Sequence, residues 1–213
     1  MIKDFTELVF ILDRSGSMSG LKSDTIGGFN SMLERQKNEK GLALVSTVLF
    51  NSHTKVLHNR KLISEVNKLT PNDYYVGGAT ALLDAVGKSI SHILNKHLES
   101  KDNIPEKTMF VIMTDGYEND SVLYTYPMVK DLIQKTKEMY GWEYVFLGAN
   151  IDVEEEARKF GLEEENAVRF NCDEVGVGLN FQCISEAISN VRVHKKMDKS
   201  WRNKIDRDYQ QRK

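Results

Sequence analysis

The chain has 213 residues, of which 40% are hydrophobic and 28% are charged, and its net charge at pH 7 is −2. These values are ordinary for a water-soluble globular protein, and the length is enough to bury a full core without division into two domains. No apolar run approaches the roughly 20 residues of a transmembrane helix, and the first residues lack the apolar region of a signal peptide. Composition therefore argues against a membrane protein and predicts a cytoplasmic one.

Apolar runs and helical stripes alternate along the chain. Buried strands are predicted at residues 7–12, 42–50, 108–114, 144–148 and 167–170, with a short strand at 54–57 that pairs back on 42–50. Apolar stripes with helical spacing lie at residues 21–33, 83–98, 129–139, 153–160 and 179–191. This alternation predicts an α/β fold: a doubly wound, Rossmann-like, mostly parallel central sheet with one short antiparallel edge strand and helices on both faces.

The charge is distributed unevenly, with a basic segment at the end. Residues 194–213 contain eight Lys or Arg and three Asp, whereas the rest of the chain is acidic. We therefore predict a domain at residues 5–193 and a basic C-terminal tail or helical extension at residues 194–213. The tail could contact nucleic acid, but its bases alternate with acids, which favours a solvated extension that lies on the acidic domain.

The first apolar run ends in the sequence DRSGSMS, which presents Asp13, Ser15 and Ser17 at alternate positions. One carboxylate and two hydroxyls at the end of a strand are hard oxygen ligands, which Mg²⁺ prefers. An EF-hand would use the same residues together with Asp24, but it requires glycine at the position of Met18. The pattern therefore indicates a cation site of another kind.

Two later loops provide the ligands that such a site still needs. Thr80 lies on a glycine-rich turn before the second helical stripe, and Asp115 follows the strand predicted at 108–114. In a parallel sheet, ligands bind beyond the carboxyl ends of the strands, where consecutive crossovers go to opposite faces. We expect Asp13 and Asp115 to end adjacent central strands at that point.

The three segments DRSGSMS, GGATALLDA and VIMTDG resemble the metal-ion-dependent adhesion site of the von Willebrand factor type A (VWA) domain family. The five ligand positions of that motif match, in order, Asp13, Ser15, Ser17, Thr80 and Asp115. The resemblance spans residues 5–193, and the chain is similar to small stand-alone bacterial or phage-borne intracellular members of the family.

This resemblance implies a divalent-cation-dependent protein-binding module. Ser15, Ser17 and Thr80 would coordinate Mg²⁺ directly, and Asp13 and Asp115 directly or through water; Mn²⁺ or Ca²⁺ could replace Mg²⁺. An open coordination position would accept a Glu or Asp carboxylate from a protein partner.

A metal-dependent phosphoester hydrolase is the alternative from another class, because a cation with an open position can activate water. The candidate bases are Glu118 and Asp120, which are more typical of a helix cap or of a role in orienting waters. No Gly-x-Ser-x-Gly elbow is present. The sequence therefore favours a protein that is not an enzyme and has no catalytic residues.

Cysteine and histidine residues add little chemistry. Cys172 and Cys183 lie in apolar-patterned segments and are predicted to be reduced thiols of the core. His92 and His97 lack a metal-binding spacing and are predicted at the surface or edge of the second helix.

Overall fold

A six-stranded sheet forms the centre of the molecule. The structure, a computed structural model, describes residues 2–100, 103–194 and 197–212. The strands are β1 (Ile2–Asp13), β2 (Leu42–Phe50), β3 (Thr54–Leu62), β4 (Pro105–Thr114), β5 (Glu143–Gly148) and β6 (Ala167–Arg169). Their order is β3-β2-β1-β4-β5-β6, and only β2 and β3 are antiparallel neighbours. The predicted fold class is confirmed, although the edge strand β3 has nine residues and is longer than predicted.

Helices cover both faces of this sheet. They are α1 (Lys22–Lys37), α2 (Leu82–Glu99), α3 (Tyr126–Tyr140), α4 (Val153–Lys159), α5 (Glu174–His194) and α6 (Asn203–Gln211). Helices α1 and α5 pack on the face that receives Leu8, Phe10 and Leu12 of β1, whereas α2, α3 and α4 pack on the face that receives Val9 and Ile11. This division follows from the alternation of side chains along a strand. No helix in the described part of the chain is long and apolar enough to cross a membrane.

Strands β1 and β4 are adjacent and parallel, with Leu12 opposite Met113. The chain leaves β1 toward α1 on one face and leaves β4 toward α3 on the other. The loops that follow these two strands therefore diverge at the carboxyl edge of the sheet and leave a crevice between them. The predicted ligands Asp13 and Asp115 lie at this crevice.

The C-terminal segment packs against the sheet edge through α6, which contacts α5 and β6. Trp201 and Ile205 are buried, and the indole N–H of Trp201 donates a hydrogen bond of 3.0 Å to the carbonyl of Glu165. Ion pairs join basic residues of the segment to acidic residues of the body: Lys199–Glu165, Lys204–Glu186 and Arg212–Asp173. Lys195, Lys196 and Lys213 lie outside the described residues.

Two side chains differ in location from the sequence prediction. His97 is not at the surface but buried on the inner face of α2, where its Nε2 lies 2.6 Å from Oε2 of the buried Glu7. Cys172 is not in the core but exposed, because it lies in the turn between β6 and α5. Cys183 is buried as predicted, and both cysteines are free.

Candidate metal centre

Asp13 is fixed at the end of β1 by two hydrogen bonds. Its Oδ1 accepts the backbone N–H of Ser15 at 2.7 Å, and its Oδ2 accepts the hydroxyl of Thr114, the last residue of β4, at 2.6 Å. The hydroxyl of Tyr74 donates to the backbone carbonyl of Asp13. Only 1% of Asp13 is exposed, so this carboxylate is held rigidly at the floor of the crevice.

The two predicted serines and the second carboxylate form a continuous chain of oxygen atoms. Oγ of Ser15 lies 3.1 Å from Oγ of Ser17, and the Ser17 hydroxyl donates to Oδ1 of Asp115 at 2.5 Å. The other carboxylate oxygen, Oδ2 of Asp115, is buried and has no hydrogen-bond donor among the described residues. An ionised carboxylate oxygen in this condition is unfavourable unless a cation accompanies it.

Thr80 approaches the same point from the glycine-rich loop that precedes α2. A methyl group placed on Gly116 would lie 3.7 Å from both Oγ of Ser17 and Oγ1 of Thr80, so the glycine leaves a small cradle between the two hydroxyls. Thr80 is held there by Asn119, whose Oδ1 accepts the Thr80 N–H at 2.8 Å and whose N–H donates to the Thr80 carbonyl at 3.0 Å. The structure therefore brings all five predicted residues to one crevice.

Backbone hydrogen bonds join the loop after β1 to the glycine-rich loop that precedes α2. The N–H of Gly16 donates to the carbonyl of Gly78, and the N–H of Gly77 donates to the carbonyl of Arg14, both at 3.0 Å. The side-chain amide of Asn51 donates to the Gly77 carbonyl at 2.6 Å. Gly78 has φ of +82°, a left-handed conformation that favours glycine. The loops are consequently preorganised around the five side chains.

Burial controls the electrostatics of the two carboxyl groups. Desolvation raises the pKa of Asp13 to about 6, although the hydrogen bonds from Thr114 and Ser15 act in the opposite direction and lower it. The pKa of Asp115 is also raised, again chiefly by desolvation. A divalent cation would favour the ionised form of both groups, and three hydroxyls complete a hard oxygen donor set of the type that Mg²⁺ takes. These residues therefore fit a small divalent cation.

Glu118, one of the two candidate bases for hydrolysis, is engaged by backbone N–H groups. Both oxygens of Glu118 are occupied: Oε2 accepts the N–H of Leu83 at 2.8 Å, and Oε1 accepts those of Asp120 and Ser121 at 2.9 and 2.7 Å. Glu118 thus caps the beginning of α2, and the side chain of Asp120 is exposed. Within the described ranges, no group of three or more His, Cys, Asp or Glu side chains could hold a metal, so any cation here depends on the hydroxyls.

Several residues that build the site carry no recognisable sequence signal. Thr114, Tyr74 and Asn119 support ligands that lie far from them in sequence, and polar residues of this kind are frequent in loops. Gly116 likewise contributes without a functional side chain, since its lack of a side chain leaves the cradle between two hydroxyls.

Residues 7–180 match the von Willebrand factor type A domain family. The chain belongs to this family. A comparison with curated proteins finds no match. VWA domains generally mediate protein–protein interactions.

Solved structures share the VWA fold at low sequence identity. Proximal thread matrix protein 1 from the mussel byssus, described with a zinc-occupied MIDAS motif, is 14% identical with a TM-score of 0.60, and 89% of this chain aligns with 47% of that one. The PilB minor pilin from Streptococcus sanguinis is 10% identical with a TM-score of 0.63, over 91% of this chain and 63% of the pilin. The manganese-loaded TRAP protein of Plasmodium vivax is 15% identical with a TM-score of 0.54, over 83% of this chain and 72% of that one.

Proposed function

We propose that this chain is a divalent-cation-dependent protein-binding module. Asp13, Ser15, Ser17, Thr80 and Asp115 hold Mg²⁺, or alternatively Mn²⁺ or Ca²⁺, and a Glu or Asp carboxylate of a protein partner completes the coordination. The observation that carries this proposal is the buried Oδ2 of Asp115, which has no donor among the described residues and lies in a cluster of converging hydroxyls.

The chemistry of the ligand set explains why a partner carboxylate is favoured. Asp13 and Asp115 neutralise a divalent ion, but the remaining protein ligands are neutral hydroxyls, which are weak donors compared with a carboxylate. A bound cation supplies an electrophilic position that attracts another anionic oxygen. The protein residues keep the position rigid because Thr114 and Asn119 fix the ligands on either side.

The rim of the crevice is suited to protein docking. In the loop after β4, Tyr117, Val122 and Leu123 are 48%, 85% and 59% exposed. This loop is nevertheless fixed, because Oδ1 of Asp84 accepts the N–H groups of Leu123 and Tyr124, both at 2.9 Å. Exposed apolar side chains on a fixed backbone beside a charged site are typical of an interaction surface.

Metal binding is tested first and without any partner. Mn²⁺ affinity is measured by electron paramagnetic resonance for the wild type, for Asp13→Ala and for Asp131→Ala, which removes an exposed carboxylate of α3 as a matched control. We expect Asp13→Ala to abolish binding and Asp131→Ala to leave it unchanged, with circular dichroism showing all three proteins folded. Wild-type protein that binds no Mn²⁺ would refute the proposal.

Partner binding is then compared in three samples: wild type with Mg²⁺, wild type with chelator, and Asp13→Ala with Mg²⁺. Proteins recovered only in the first sample are candidate partners, and each is retested in purified form after its acidic residues are changed to amides. Capture that survives both chelation and Asp13→Ala would show that recognition does not use the cation.

A further inference from the structure

Arg14, which directly follows the candidate ligand Asp13, has an unusual environment. Only 2% of the residue is exposed, and it is one of the largest fully buried side chains of the described structure. Its Nε and Nη1 atoms are buried, and no hydrogen-bond acceptor for them occurs among the described residues. A guanidinium carries five N–H donors in a planar fork, and these two nitrogens bear three of them, so leaving them unpaired away from water is strongly unfavourable.

The ring of Tyr75 covers this guanidinium. The central carbon of the Arg14 guanidinium lies 4.0 Å from the centroid of the ring, a cation–π contact, while Tyr75 itself is 51% exposed. Such a contact stabilises the cation but satisfies none of its N–H groups. Tyr75 therefore lies between the Arg14 guanidinium and solvent, and two nitrogens of that guanidinium have no hydrogen-bond acceptor among the described residues.

The backbone around Tyr75 is fixed on both sides, whereas about half of the residue, 51%, is exposed to solvent. Tyr74 is fully buried and donates its hydroxyl to the carbonyl of Asp13, and the N–H of Gly77 donates to the carbonyl of Arg14. Rotation of the Tyr75 side chain would thus expose Arg14 without disturbing the loop or the candidate metal ligands.

Local charge indicates what the exposed guanidinium would bind. A divalent cation with Asp13 and Asp115 is neutral, so Arg14 adds one unbalanced positive charge at the same end of β1. The rest of the body is acidic, since the whole chain has a net charge of −2 despite its basic C-terminal segment. A carboxylate fits the planar fork of an arginine in shape and balances its single positive charge, whereas a dianion would leave one negative charge unbalanced.

We infer that Arg14 is a second anion-binding group, which takes a carboxylate of the partner next to the one on the cation when Tyr75 swings aside. This inference rests on the proposed function and specifies it: the recognised segment carries two neighbouring acidic residues. Arg14 supplies charge-assisted hydrogen bonds that a single acidic residue on the cation cannot use.

The test uses two capped glycine peptides, one containing a single Glu and one containing two adjacent Glu, titrated by NMR at saturating Mg²⁺. We expect the wild type to bind the peptide with two Glu roughly tenfold more tightly than the peptide with one Glu. The presence of two carboxylates alone would account for a ratio of only about two. Arg14→Gln should reduce the ratio to about twofold while the protein still binds Mn²⁺. Arg158→Gln, which removes the same charge from an exposed position of α4, should keep the full ratio.

The outcomes separate this inference from the proposed function. A wild type that binds the single-Glu peptide in Mg²⁺ without preferring the double one overturns the role of Arg14 and leaves the cation-dependent function intact. Absence of binding of either peptide by Mn²⁺-competent protein overturns both. If Arg14→Gln does not fold, Tyr75→Ala provides the test, because it removes the ring that covers Arg14. This variant should prefer the double-Glu peptide at least as strongly as the wild type does. A ratio of about two between the affinities for the two peptides would refute the inference.

Discussion

The hydroxyl of Ser17 donates a hydrogen bond of 2.5 Å to Oδ1 of Asp115, although 98 residues separate the two in sequence. This contact joins the loop after β1 to the loop after β4, the two adjacent strands from which the chain departs to opposite faces of the sheet. Only one oxygen of Asp115 receives a donor from the described residues, and the other, Oδ2, is buried without one. We therefore expect the site to respond to metal and to pH.

Gly116→Ala is expected to lower Mn²⁺ affinity at least about tenfold without unfolding the domain. The added methyl group lies 3.7 Å from the hydroxyls of Ser17 and Thr80, which is ordinary van der Waals contact, but it occupies the cradle between them. Calorimetric titration and thermal melting measure the two effects. Gly27→Ala in α1, where a methyl group meets nothing within 4 Å, is the control and should retain full affinity. Unchanged affinity in Gly116→Ala would place the cation elsewhere.

The metal-free protein is expected to lose stability as pH rises through 6. Burial raises the pKa of Asp13 from 3.8 to about 6 in the folded state, so between these values the folded state binds more protons than the unfolded state and the free energy of unfolding falls with rising pH. The total loss is about 3 kcal/mol. Urea unfolding in chelator at pH 5 and 7.5 covers the upper part of this range and should show a loss of roughly 1.4 kcal/mol. Asp13→Asn should have a shallower dependence, and an equal slope in both proteins would contradict the assignment.

Much of the fold follows from short-range patterns in the sequence. Continuous apolar runs of strand length alternate with helical stripes, and that alternation is sufficient to predict a mostly parallel sheet with Asp13 and Asp115 on adjacent strands. The five residues of the candidate site were identified from their oxygen chemistry and spacing, and the structure places them in one crevice. That they bind a cation remains a prediction.

The supporting contacts could not be predicted in the same way. His97 is predicted at the surface or edge of the second helix, but it is buried against Glu7, which lies 90 positions earlier in the sequence. Similarly, nothing in the sequence pairs Thr80 with Asn119 or Asp13 with Thr114. Such contacts depend on the three-dimensional register of strands and loops, which periodicity does not encode.

Glu7→Ala is expected to destabilise the protein by about 3–5 kcal/mol, because it leaves a buried ion pair without one partner. The Glu7 carboxylate is fully buried and accepts hydrogen bonds from Nε and Nη2 of Arg60 at 2.6 and 3.1 Å, besides its contact with His97. Glu99→Ala, which breaks a solvent-exposed pair with Lys96, should change stability by less than about 1 kcal/mol. Urea denaturation of both variants provides the comparison, and equal losses would show that burial of Glu7 is not the cause.

Leu123→Ser is expected to weaken binding of a purified partner roughly tenfold while Mn²⁺ affinity stays at the wild-type value. Leu123 is 59% exposed in the loop between β4 and α3, which also carries Asp115 and is fixed by Asp84, so the substitution removes apolar contact area without changing a ligand. Met139→Ser removes a side chain of similar exposure, 62%, near the C-terminal end of α3. This end directly precedes β5, so it lies where the parallel strands begin, on the side of the sheet opposite the candidate metal centre. Calorimetry with the partner in Mg²⁺ should show a loss for Leu123→Ser and none for Met139→Ser. Equal affinities of the two variants would mean that the partner contacts the cation without using this rim.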